Sequence, residues 1–331
     1  MPHILEVENL VKKFGDFEAV KGISFDVEEG EVFGLLGPNG AGKTTTISMI
    51  TGLYPPTSGT ARIDGHDILK EPLVVKQMNG LVPQDLALYP TLSARANLQF
   101  FGRVYGLSGK ILKENVEDVL RIVSLTERAD QAIEKYSGGM KRRVNIAAGL
   151  VHQPRLLFLD EPTVGVDPQS RNHIFESVQR LNRERGMTII YTSHYMEEVE
   201  LLCNRVAIID QGKLIAMDSI KNLVAILGGG VLRIGVRHVD ENLLSALSAL
   251  PAVKNASLLQ TVTQTPPEQQ VPDHQVSPPV VIKIETQNSQ QALIHVISYL
   301  EDQKISLLSL DILENNLESV FLHLTGKQLR E

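Results

Sequence analysis

From Ile4 to about Val27, apolar and polar residues alternate on either side of Gly15-Asp16, the two-residue period of strands buried on one face. The spacing predicts an antiparallel pair. The period then changes: Val32-Phe33-Gly34-Leu35-Leu36 is an unbroken apolar run, suited to a strand covered on both faces, and it leads through a glycine-rich turn into a helix over Lys43 to Thr51. Between Asp85 and Glu134 the apolar positions recur at helical spacing, as at Leu112, Val116, Val119, Leu120 and Val123. A mostly helical insert over about 85–136 is therefore expected. Two more buried strands follow at Leu156–Leu159 and Thr188–Thr192, separated by a helix from Ser170 to Glu184. Alternating strands and helices imply an α/β unit with a parallel sheet between helices.

Gly228-Gly229-Gly230 breaks this texture. Beyond it the pattern reads strand (Val231 to Val236), helix (Glu241 to Leu250), strand (Ala256 to Val262), strand (Val280 to Thr286), helix (Ser289 to Glu301), strand (Ser306 to Ile312) and a helix from Leu317. That order is a ferredoxin-like βαββαβ core with one added helix, whose start Asn315 and Glu318 would mark as a capping box. The expected domains are 1–228 and 229–331. Residues 263–279, rich in Pro and Gln and poor in apolar side chains, are expected to form a mobile loop between two strands.

Composition narrows the function. With 331 residues, 43% hydrophobic and 21% charged, the chain can bury two cores and is not of the disordered class. Its 39 acidic against 32 basic residues give a net charge of -7, so no general electrostatic footprint for nucleic acid is present and no nucleic-acid partner is expected. The single cysteine, Cys203, has no disulfide partner in the chain and reads as a small buried hydrophobe in a reducing compartment. Glu6 and Glu8 interrupt what would be the apolar heart of a signal peptide, so none is expected at the N-terminus. The longest nearly apolar stretch, Leu223 to Leu232, falls short of the ~20 residues that span a bilayer, so membrane association is expected to go through a partner.

The chemistry begins at Gly37-Pro38-Asn39-Gly40-Ala41-Gly42-Lys43-Thr44, which satisfies the phosphate-binding pattern G-x-x-x-x-G-K-[ST] between a buried strand and a helix. Glycines let the backbone wrap an anion so that its N–H groups and the helix N-terminus point at it. The candidate nucleotide site takes in this loop and Thr45, with Lys43 reaching the β- and γ-phosphates of a bound nucleotide and Thr44 a ligand of Mg²⁺. At the end of the strand Leu156–Leu159 stand two adjacent carboxylates, Asp160 and Glu161, which are costly at a buried strand end without something positive beside them. Asp160 is assigned to the metal, and Glu161 to orienting or deprotonating the attacking water.

The succession of the phosphate loop, Gln84, Ser137-Gly138-Gly139, the strand ending in Asp160-Glu161, Asp167 and then His194 after a strand resembles the nucleotide-binding domain of ABC (ATP-binding cassette) transporters, over roughly Ile4 to Ile220. The resemblance implies a P-loop NTPase core with an N-terminal antiparallel β subdomain and a helical insert, followed here by the small α+β domain. It implies that Phe14 stacks on adenine, that Gln84 touches Mg²⁺, and that His194 hydrogen-bonds the γ-phosphate. Ser137 and Gly139 would belong to a signature loop contacting the γ-phosphate held by a second ATP-binding subunit, and Asp167 would meet the opposite phosphate loop. Tyr136 and Met140 depart from the leucine and glutamine that commonly flank Ser-Gly-Gly.

One chain would then carry half of each catalytic site, and ATP would close a dimer. Leu86, Leu88, Tyr89, Leu92 and Leu98 at the start of the insert fall where the family receives a helix from a separate transmembrane permease subunit. Lys141-Arg142-Arg143 after the signature loop, the appended domain and the ending Leu317 to Gly326 resemble ATP subunits of bacterial drug exporters. The expectation is an ATPase on the cytoplasmic face of the membrane that drives efflux of drugs, lipids or other hydrophobic compounds. The alternatives are an importer's ATP-binding subunit and a soluble ABC ATPase acting on ribosome or DNA.

Overall fold

The computed structural model describes residues 3–237, 239, 241–259, 280–313 and 315–326, so the loop expected at 263–279 lies outside the described residues. By its internal contacts the chain forms two compact units, the first running to Ile220 and the second spanning Lys221–His323.

In the first unit, β1 (His3–Phe14) and β2 (Phe17–Glu28) pair antiparallel around Gly15-Asp16, as the alternation predicts. The next strand, β3 (Val32–Leu36), is buried at every residue, and α1 (Lys43–Ile50) follows the glycine-rich turn. Two short strands, β4 (Ser58–Ile63) and β5 (His66–Asp67), complete a sheet of order β2-β1-β4-β5. After α2 (Pro72–Met78) and β6 (Asn79–Val82) comes the helical insert, α3 (Ala94–Val104) and α4 (Gly109–Ile122), and the chain returns through α5 (Gly138–Leu150). The side chains that set the helical period in the sequence, Leu112, Val116, Val119, Leu120 and Val123, are buried, and so is Leu98, whereas Leu86, Tyr89 and Leu92 are exposed. Leu98 thus belongs to the insert's own core.

The remaining elements of this unit are β7 (Leu156–Asp160), α6 (Pro168–Arg185), β8 (Thr188–Ser193), α7 (Met196–Leu202), β9 (Arg205–Asp210) and β10 (Lys213–Ser219). They form a sheet of order β10-β9-β3-β8-β7-β6, parallel throughout except at β10. A continuous core joins this sheet, α1 and the antiparallel sheet, with Phe25 of β2 stacked on Phe33 of β3 at 5.6 Å. Cys203 is buried, and burial pushes its thiol pKa up.

The second unit follows α8 (Ile220–Ile226) with β11 (Val231–Val236), α9 (Glu241–Ser248), β12 (Val253–Leu258), β13 (Val280–Thr286), α10 (Ser289–Asp302), β14 (Leu307–Leu313) and α11 (Leu317–Thr325). The sheet order β12-β13-β11-β14, antiparallel at every pairing, is that of a ferredoxin-like core. Leu232, Ile234, Ile282 and Ile284 on one sheet face pack with Leu243, Leu247, Val296 and Leu300 of α9 and α10. The cap of α11 differs from the sequence reading. Asn316, not Asn315, accepts the Ser319 N–H at 2.9 Å, because Asn315 instead donates to the carbonyls of Gly228 and Gly229 at 3.0 and 2.7 Å. Among the described residues, no helix is long and apolar enough to cross a membrane.

Candidate functional site

The parallel sheet does most of the positioning. β3, β8, β7 and β6 lie side by side, with Leu36 opposite Ser193, Thr192 opposite Asp160 and Leu159 opposite Val82. The residue next after each strand therefore emerges at one edge: Gly37 after β3, His194 after β8, Glu161 after β7 and, one residue further on, Gln84 after β6. Outside the carboxyl ends of parallel strands is where open α/β sheets hold ligands. A cavity of about 630 Å³ opens there, lined by Asn39–Thr45, Gln84, Glu161 and His194 together with Phe17, Ala19, Val164 and Tyr195.

The loop has the geometry its glycines suggest. Gly40 and Gly42 hold φ of 80° and 107°, and a Cβ on Gly37 would stand 2.2 Å from the Ile209 carbonyl. Lys43, 5% exposed, donates to the carbonyls of Gly37 at 2.8 Å and Pro38 at 3.2 Å, and pairs with Glu161 Oε1 at 3.2 Å. All three ammonium protons have partners. Thr44 is exposed, Thr45 half-buried.

Glu161 is where the site converges. Gln84 Nε2 donates to its Oε2 at 3.2 Å, and His194 Nδ1 lies 3.4 Å from Oε1 without hydrogen-bond alignment. Its backbone is in the left-handed region at φ 46°, a conformation that costs a non-glycine residue about 1–3 kcal/mol unless its surroundings hold it. Two side chains do so. Thr192 Oγ1 accepts the Glu161 N–H at 2.9 Å while donating to Asp160 Oδ1 at 2.7 Å, and the Arg142 guanidinium donates to the Glu161 carbonyl at 2.5 Å. Asp160 is buried behind the cavity wall.

A third buried carboxylate at this edge, Glu198, braces it. Its Oε2 accepts from Thr163 Oγ1 at 2.8 Å, Tyr191 Oη at 2.8 Å and Ser193 Oγ at 3.1 Å, and Ser193 Oγ in turn accepts the Tyr195 N–H at 2.9 Å. His194 is thereby framed by fixed neighbours on both sides.

The other expected residues stand elsewhere in the unit. Ser137 is exposed and caps α5, its Oγ accepting the Met140 N–H at 3.2 Å. Gly139 is buried, and a Cβ there would meet Ser170 at 2.1 Å. Asp167 is exposed and caps α6, where the Ser170 N–H holds its carboxyl below the ordinary aspartate pKa. None of these three lines the cavity. Nor does Phe14, which is half exposed, meets Tyr54 edge-on at 6.1 Å and lies under the Lys12 ammonium; the aromatic residue in the cavity wall on this side is Phe17. Phe17, Thr192 and Glu198 carry no motif, and nothing in their spacing singles them out; Arg142 lies in the basic stretch after the signature loop, but its place beneath this cavity has no signal in the sequence.

Residues 20–164 match the family described as ABC transporter. The chain is similar to the linearmycin resistance ATP-binding protein LnrL of Bacillus subtilis, at 48% identity over 99% of this chain and 100% of the relative. It is 35% identical to the daunorubicin/doxorubicin resistance ATP-binding protein DrrA of Streptomyces peucetius, over 97% of this chain and 92% of that one. Among solved structures, a dimeric ATP-binding cassette in a post-hydrolysis state with ADP and Pi superposes with a TM-score of 0.59 at 26% identity, covering 65% of this chain and 98% of that one. With a phosphate loop, Gln84, Glu161 and His194 converging on one cavity, and likeness running the full length of such a relative, the protein belongs to the ABC transporter family, among its ATP-binding proteins.

Proposed function

We infer that the chain is the ATP-hydrolysing subunit of an exporter, binding ATP in the cavity above β3, β7 and β8 and working as a dimer beside a separate transmembrane permease. The observation that carries this is the division of the expected residues. Lys43, Gln84, Glu161 and His194 meet at one cavity, while Ser137, Gly139 and Asp167 do not line it. A chain that holds two incomplete halves is completed by a second copy arranged head to tail.

In this reading the phosphate loop, with Gly37, Pro38, Asn39, Gly40, Ala41, Gly42, Lys43, Thr44 and Thr45, cradles the phosphates, and the nucleotide replaces Glu161 as the partner of Lys43. The freed carboxylate then serves as base, accepting the proton of the attacking water while Gln84 and His194 orient water and γ-phosphate. The half-exposed Phe14 would turn from Tyr54 onto the adenine. The oxygen donors near the phosphates suit a hard cation: Thr44 and Gln84 at the cavity and Asp160 behind it would hold Mg²⁺, with the remaining positions left to phosphate and water. When bound, that ion supplies charge neutralisation at the β- and γ-oxygens. In the second subunit Ser137, Gly139 and Asp167 face the first subunit's nucleotide.

Export of hydrophobic compounds is supported by relatives named for resistance to linearmycin and to daunorubicin and doxorubicin, whose likeness includes the C-terminal unit. The permease would place the chain on the cytoplasmic face of the membrane, with exposed Leu86, Tyr89 and Leu92 towards it. Affinity purification from detergent-solubilised membranes should recover one polytopic membrane protein, and loss of the chain should sensitise its host to amphipathic drugs. Recovery with ribosomes or DNA in place of that protein would refute the reading.

A further inference from the structure

Two cations are buried in the first unit among the described residues, Lys43 and Arg142. Lys43 has Glu161; Arg142 forms no ion pair among the described residues, and its guanidinium is spent entirely on backbone. Its Nε donates to the Pro162 carbonyl at 2.7 Å, Nη1 to the carbonyls of Pro83 and Gln84 at 3.0 and 2.6 Å, and Nη2 to the Glu161 carbonyl at 2.5 Å. A planar fork with five donors reaches two pairs of carbonyls from one point; an ammonium with three donors, or an amide with two, does not.

These four acceptors belong to two segments far apart in sequence, the turn that carries Gln84 and the turn that carries Glu161. Arg142 itself sits on α5, five residues after its cap Ser137. A helix is stiff over that distance, about 7–8 Å along its axis. The end of α5 that carries Ser137 and the backbone beneath two groups of the cavity are therefore joined through one side chain.

We propose that Arg142 is a positioning residue for ATP hydrolysis, holding Glu161 in its left-handed conformation and Gln84 beside it, and passing movement of the Ser137 end of α5 to both. The proposal rests on the reading of Gln84 and Glu161 as groups that act on water and phosphate. Arg142 touches neither the nucleotide nor the reacting atoms. Its loss alters where the Glu161 carboxylate stands; hydrolysis senses that directly, whereas ground-state nucleotide binding senses it only through the hold of Glu161 on Lys43, whose loosening frees Lys43 for the phosphates.

The test is a comparison of Arg142→Gln and Arg142→Lys in the full chain, with rates expressed per folded molecule and ATP affinity measured by equilibrium titration without divalent metal. Misplacement of a catalytic group by about 1 Å lowers kcat on the order of 10²-fold, so Arg142→Gln should fall by that factor while ATP affinity stays unchanged or rises. Arg142→Lys, which keeps the charge and the stem, should recover part of the rate; it decides the matter by the same split if the glutamine variant does not fold. Added to Glu161→Gln, Arg142→Gln should cause no further loss. Wild-type kcat in Arg142→Gln, or equal losses of kcat and affinity, would overturn the proposal. Normal turnover by Glu161→Gln alone would instead overturn the reading of Glu161, which keeps the two failures apart.

Discussion

Replacing Glu161 by glutamine keeps the shape of the side chain and removes its charge, and two opposite effects follow from the geometry. The first is on turnover. A carboxylate acting as general base contributes about 10²- to 10⁴-fold, so kcat should fall by at least 10²-fold. The second is on binding. Lys43 Nζ and Glu161 Oε1 are 3.2 Å apart and both buried, and at an effective dielectric of 20 their gross attraction is about 5 kcal/mol. The phosphates of ATP have to take Lys43 away from that partner. With a neutral amide in its place the competition weakens, and if only about a quarter of the gross term is released, affinity for ATP rises about tenfold. A titration with a fluorescent ATP analogue at low subunit concentration, paired with a phosphate-release assay, measures both effects in one preparation. Weaker ATP binding by Glu161→Gln would show that the Lys43 to Glu161 pair helps the site receive nucleotide. Turnover at the wild-type rate would remove Glu161 from the chemistry.

Other perturbations test the scaffold around the site. Gly139→Ala should separate the start of α5 from α6, because the added Cβ stands 2.1 Å from Ser170; the overpacking should destabilise the chain by about 1–3 kcal/mol in denaturant titrations and lower the ATPase rate. Burial lowers the pKa of His152, whose Nε2 donates to the Asn79 carbonyl at 2.9 Å while its ring stacks on Tyr105. The folded state therefore favours neutral imidazole, so this stabilisation is present above the unfolded pKa near 6.5 and is lost as pH falls through the folded value. Unfolding of wild type should become easier between pH 7.5 and 5 by more than that of His152→Gln, and equal pH slopes would contradict it. Asp118 accepts from both Arg185 nitrogens, at 2.6 and 2.8 Å, and that contact holds its pKa below the ordinary range. Since the Arg185 side chain is 41% exposed, solvent screening limits the effect, and Asp118→Asn should cost about 1 kcal/mol at pH 7, with the difference from wild type lost as pH falls through the folded pKa, which lies below the ordinary aspartate value.

Much of the fold could be read from the chain because its patterns are local. The unbroken runs at Val32–Leu36 and Leu156–Leu159 are short enough, with the turn signals beside them, to read as strands covered on both faces, and the change of period at Gly37 marks the loop. In the second unit the alternation gives the strands and helices of a ferredoxin-like core in their observed order. What the sequence does not reveal is decided by contacts between distant segments. β6 is four residues, Asn79-Gly80-Leu81-Val82, too short to show a period, and it exists by pairing with β7. Asn315 and Asn316 are equally good caps on paper, and only the carbonyls of Gly228 and Gly229 draw the first away. In Lys141-Arg142-Arg143 each residue looks like part of a solvated face, yet Arg142 is buried because the turns after β6 and β7 both present carbonyls to it. Phe17 next to Phe14, and Thr192 inside a strand, are likewise ordinary until the sheet brings them to the cavity.

The account rests on the claim that one chain holds half of each catalytic site. The most direct measurement is the specific rate of ATP hydrolysis, per subunit, as the protein is diluted over several orders of magnitude at saturating ATP and Mg²⁺. A dimer-dependent site predicts a specific rate that rises in proportion to concentration when dilute and reaches a plateau when concentrated. A specific rate that stays constant through the whole dilution would contradict the claim.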